Sequence, residues 1–116
     1  MTTTIRVWIA VLIVTALMLP GVLFSAGKPN PNHGKTLYRE TCKTCHVKDG
    51  GAKDLAPLSK TQAQWDRFFK TSAPVMVKRV ETKTHKTLSP GDLADMQEFL
   101  VSHAADSDHP ETCGIK

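Results

Sequence analysis

Cys42-Lys43-Thr44-Cys45-His46 is the stretch on which the reading of this chain turns. Two thiols a two-residue spacer apart, with an imidazole next in line, suit three chemistries. As Cys-x-x-Cys-His the run is the code for covalent haem attachment: the thiols of Cys42 and Cys45 add across the two haem vinyl groups, and His46 is held under the iron as proximal ligand. A thioredoxin-like redox pair would need a strand before and a helix after the motif within an α/β domain, and no such pattern is present. A zinc site would have to recruit a histidine and the distant Cys113, without the second close-spaced couple that zinc sites use. The haem reading is the one adopted.

Upstream of the motif, a first helix is expected from about His33 to Thr41, with Leu37 and Tyr38 as its apolar contacts. Residues 27–33, Gly-Lys-Pro-Asn-Pro-Asn-His, read as a turn-rich flexible leader. Before them, Arg6 precedes an apolar run from Val7 to Leu19, then Pro20-Gly21 and the small residues Ser25-Ala26-Gly27. A positive start, apolar centre and small-residue end make residues 1–26 an export signal peptide. Cleavage after Ala26 would leave Phe24 at the −3 position, where a small residue is expected, and Val7–Phe24 is long enough to span a bilayer. Removal is the preferred reading, and retention as a membrane tether through residues 7–24 is the alternative.

Downstream, Asp49-Gly50-Gly51 reads as a loop and Ala56-Pro57-Leu58 as a turn. Thr61 is placed to cap a second helix on which Trp65, Phe68 and Phe69 share one face at i, i+3 and i+4. Residues 73–88 show no decisive pattern. Ser89-Pro90 starts a last helix, with Asp92 three residues after the cap; it is expected to reach about Ala104 and to face Leu93, Met96, Phe99 and Leu100 inward. Residues 105–116 form a polar C-terminal tail carrying Cys113. Without a strand pattern or an internal repeat, the chain reads as all-α, three to four helices in one domain over residues 34–104.

The net charge of +4 over 116 residues, with basic residues spread rather than clustered, excludes a nucleic-acid face. An acidic protein partner or an anionic membrane surface is the natural counterpart, and the run Lys78-Arg79…Lys83…Lys86 is the candidate steering face. Three cysteines are an odd number for an oxidising compartment. Two are spent on haem, which leaves Cys113 as an exposed thiol or the link of a disulfide dimer.

The run Gly34-Lys35-Thr36-Leu37-Tyr38-Arg39-Glu40-Thr41-Cys42-Lys43-Thr44-Cys45-His46 resembles the opening of class I c-type cytochromes. The resemblance implies a small cytochrome c-like fold around one covalently bound haem c. In it Gly34 lets the last helix cross closely, and Tyr38 packs against the Leu93/Met96/Phe99/Leu100 cluster. It further implies a periplasmic one-electron carrier between respiratory redox proteins, with no enzymatic activity of its own. Anchoring to the outer face of the inner membrane is the alternative location. The alternative function is a gas- or peroxide-binding sensor or enzyme with an open sixth position.

In the family the second axial ligand is usually a methionine shortly before the last helix. Here His85, five residues before Pro90, is the favoured distal ligand, with Met76 as alternative and Met96, His103 and His33 as weaker candidates. Bis-histidine ligation would imply a low reduction potential. Trp65 and Phe68 are candidates for the haem pocket, Trp65 through an indole bond to a propionate, or else for the core.

Overall fold

The computed structural model describes residues 27–112. Among them are four helices and no strand: α1 (Pro31–Thr41), α2 (Gln62–Thr71), α3 (Ala73–Thr84) and α4 (Pro90–Ser102), with 3-10 turns at Cys42–Thr44 and Pro57–Ser59. The chain is all-α, as its sequence indicates. The signal reading of residues 1–26 and the role of Cys113 fall outside the described residues.

Each helix begins where a side chain can satisfy the first unpaired N–H groups. Asn30 accepts from the N–H groups of Asn32 (3.1 Å) and His33 (3.3 Å), with Pro31 in the first turn of α1. The helix therefore starts inside the stretch expected to be a flexible leader. The cap is itself tethered, because Asn30 N–H donates to Asp95 Oδ1 (2.7 Å) and His33 Nδ1 lies 2.7 Å from Asp95 Oδ2. These two contacts, the backbone one foremost, hold the Asp95 carboxyl below its usual range. Thr61 and Gln64 form a reciprocal capping box on α2, and Ser89 and Asp92 do the same on α4.

The helix over residues 73–84 was not legible from the sequence, and its inward side explains why it forms. Ala73 and Val80 are buried, and Met76, Val77 and Thr84 are half-buried, at helical spacing. Lys78, Thr82 and Lys83, which obscured this pattern, lie outward, and Thr82 and Thr84 return their hydroxyls to the carbonyls of Lys78 and Val80, each at 2.8 Å.

Helices α1 and α4 cross at Gly34. A Cβ on that residue would lie 2.0 Å from the Asp95 carbonyl oxygen, so only glycine allows the approach. One turn on, Tyr38 meets Phe99 with ring centroids 5.8 Å apart. Around this contact Tyr38, Trp65, Phe99, Leu100 and Ala104 form one buried cluster, and Val80, Leu88 and Met96 form a second.

The segment after α4 is pinned rather than loose up to Glu111. Ala105 N–H donates to Lys60 O (3.0 Å), Gln62 N–H to Asp106 Oδ1 (2.7 Å), Leu58 N–H to Glu111 O (3.3 Å) and Lys35 Nζ to Glu111 Oε1 (2.6 Å). Polar residues here tie the end of the domain back onto α1 and the start of α2.

Candidate haem site

The cysteine motif leaves α1 through the 3-10 turn Cys42–Thr44. The N–H groups of Cys45 (3.2 Å) and His46 (2.9 Å) both donate to Cys42 O. This tight turn places both thiols on one short stretch of backbone, and both are half-buried and unbridged. Burial pushes the Cys42 thiol above its usual range. The thioredoxin-like alternative would need a strand before the motif in an α/β domain, and the described residues hold none. Among the described residues no three His, Cys, Asp or Glu side chains gather as a metal site.

His46 is oriented by the loop that follows it. Its Nδ1 lies 2.7 Å from the Lys53 carbonyl oxygen. A carbonyl only accepts, so Nδ1 carries the proton, and in the neutral ring the lone pair sits on Nε2. The loop is folded tightly enough to deliver that carbonyl: Gly50 N–H donates to Val47 O (2.9 Å) and Ala52 N–H to Cys45 O (3.2 Å). A Cβ at Gly50 would stand 2.3 Å from Cys45 O. Two unbridged thiols at the attachment spacing and an imidazole with its far nitrogen freed fit a haem group. Cys42 and Cys45 would hold it and His46 would ligate its iron.

The other sequence-derived site residues scatter. Trp65 is buried in the first cluster and its indole N–H donates to Pro57 O at 2.7 Å. Phe68 is half-buried, edge-on to both Trp65 (5.9 Å) and Phe69 (5.4 Å), and packs on the same cluster. Met76 packs against the Val80/Leu88/Met96 cluster, which Cys42 also contacts. His85 is exposed at the C-terminal cap of α3, in the left-handed conformation (φ 57°), and not on a long loop. Met96 is fully buried between the helices. His103 Nδ1 donates to His109 O (2.8 Å). His33 is paired with Asp95.

Sequence reasoning missed Lys43, Asp54 and Leu55. The ammonium of Lys43 lies 2.6 Å from Asp54 Oδ1 and 3.3 Å from Leu55 O, and the Tyr38 hydroxyl donates to the same Leu55 carbonyl. The only signal was Lys43 sitting between the cysteines.

Residues 29–100 match the model of the family described as cytochrome c oxidase, cbb3-type, subunit III. The chain belongs to this family. It is thereby a mono-haem c-type cytochrome, and the family implies haem-based electron transfer. No curated protein and no solved structure matches the chain. Such cytochrome domains are typically exported, and no helix among the described residues is long and apolar enough to cross a membrane.

Proposed function

We propose that the protein is a periplasmic one-electron carrier whose single haem c is bound through thioethers at Cys42 and Cys45 and ligated by His46. The observation that carries this is the His46–Lys53 hydrogen bond directly after the two unbridged thiols: it presets the proximal nitrogen for iron. Bound there, haem supplies an Fe(III)/Fe(II) couple. The chain's part is to hold the ring of His46, present the two thiols on one tight turn, and cover the group with α3 and α4.

For the sixth ligand we favour Met76 over His85, reversing the order suggested by sequence spacing. Met76 faces the cluster that Cys42 touches, whereas His85 points away at a helix end. Methionine ligation raises the potential relative to two histidines. The partner is proposed to be an acidic redox protein steered by the outward face of α3, where Lys78, Arg79 and Lys83 flank the 63% exposed Val75. Lys86 drops out of that face because it is paired with Glu40. A cleaved signal peptide, with retention as a tether through residues 7–24 as the alternative, and Cys113 as an exposed thiol, with a disulfide-linked dimer as the alternative, are parts of the proposal that rest on sequence. Membrane fractionation and non-reducing gels test them.

A redox titration with spectra tests the carrier reading. A single one-electron transition with low-spin haem in both states is expected. A high-spin ferric form that binds carbon monoxide or peroxide on mixing would replace the carrier with the sensor or enzyme alternative.

A further inference from the structure

We propose that Lys43 and Asp54 are positioning residues for His46: their ion pair braces the loop over residues 46–55 so that the Lys53 carbonyl stays on Nδ1. The inference rests on the haem-site reading above. Residues 47–51 and Lys53 are exposed. The loop's backbone ties are Gly50 N–H to Val47 O, Ala52 N–H to Cys45 O and a long Leu55 N–H to His46 O (3.4 Å), none of which holds Lys53 itself. Its far end is fastened further by side chains. Asp54 is bound by Lys43, which is rooted in the 3-10 turn between the cysteines, and Leu55 O accepts from both Lys43 Nζ and the hydroxyl of the fully buried Tyr38. The Lys53 carbonyl belongs to the planar peptide that ends on the Asp54 nitrogen. Fastening Asp54 and Leu55 therefore fixes the direction in which that carbonyl points.

The pair is more sheltered than an ordinary surface bridge, with side-chain exposures of 14% for Lys43 and 26% for Asp54. Against this, the other lysine–carboxylate pairs, Lys35–Glu111 and Lys86–Glu40, leave each side chain at least a third exposed. A carbonyl held on the far nitrogen of a ligating imidazole makes the ring a stronger donor to the metal. Stronger donation favours the ferric state. Loosening the brace should therefore raise the reduction potential.

Charge and positioning are separable. Asp54→Asn removes a negative charge and the brace, and both raise the potential. Lys43→Gln removes a positive charge, which lowers it, and removes the brace, which raises it. The double variant Lys43→Gln/Asp54→Asn leaves the net charge unchanged and reads the brace alone.

In the double variant the ferrous-to-ferric ratio at a fixed electrode potential should rise about threefold or more. Amide exchange at Ala52, whose N–H bonds to Cys45 O, should quicken, and Asp54→Glu should largely retain both wild-type values. A double variant with wild-type potential and unchanged Ala52 exchange would overturn the proposal. A wild-type protein without haem would instead defeat the functional reading, and Ala52 exchange in the unloaded chains would still decide the brace.

Discussion

Residues 42–55 and residues 73–89 contact the same apolar interior, yet they are held in opposite ways. The first region is laced by short-range polar ties: Cys45 and His46 onto Cys42, Ala52 onto Cys45, His46 onto Lys53, and Lys43 onto Asp54 and Leu55. The second is an amphipathic helix held by apolar contacts of Ala73, Met76, Val77 and Val80, with the exposed Lys86–Glu40 pair as a polar tie to α1 and Ser89 capping α4 beyond it. The difference separates two tasks. On the proposed haem reading, a proximal ligand presented in one tautomer would need directional bonds, and a distal side that closes over an apolar group would need only non-directional burial.

The largest effect expected is on the distal ligand. Met76→Ala should convert the ferric haem from low to high spin, and His85→Ala should leave the spectrum unchanged. The reverse pattern in an absorption or EPR spectrum would restore His85. Next comes the proximal loop. Gly50→Ala drives a Cβ against the Cys45 carbonyl and should cost about 3 kcal/mol in denaturant unfolding. A cost near zero would show that this loop is not tightly folded.

His85→Gly removes the steric penalty of the left-handed cap on α3 and should stabilise the protein by about 0.5–1 kcal/mol. Loss of stability would mean that the imidazole has a partner.

The smallest effect is pH-dependent. Lys43 beside Asp54, Lys86 beside Glu40, and the Asn30 N–H with His33 beside Asp95 all hold carboxyl pKa values below their usual 3.8 or 4.5. A carboxyl with a lower pKa folded than unfolded stabilises the fold above the unfolded value and stops doing so as pH falls through the folded one. The thermal midpoint should therefore hold from neutral pH down to about 4.5 and decline below it, less steeply in high salt. A midpoint that rises on acidification would contradict these shifts.

The contrast between the two regions also governs what the sequence disclosed. Ser89-Pro90-Gly91-Asp92 and Thr61 announce helices because capping is a local matter, and Gly34 with Tyr38 marked the α1–α4 crossing through family resemblance. The α3 helix stayed hidden because Lys and Thr dominate its outward face, so that four small or apolar inward residues carry the signal alone. His85 was placed near the iron by its spacing from Pro90. Once α3 runs to Thr84, that same spacing puts it at a helix end facing water. The Lys43–Asp54 brace was invisible because it joins residues across a loop whose path the sequence does not reveal.

Covalent haem at Cys42 and Cys45, with His46 as its proposed iron ligand, can be read most directly from the reduced spectrum of the denatured protein in alkaline pyridine. One haem per chain is expected, with the α-band at the position given by two saturated vinyl groups, and Cys42→Ser or Cys45→Ser should move it toward the one-thioether position. A spectrum of haem with both vinyl groups intact, or a chain exported and folded without haem, would rule out thioether attachment at Cys42 and Cys45.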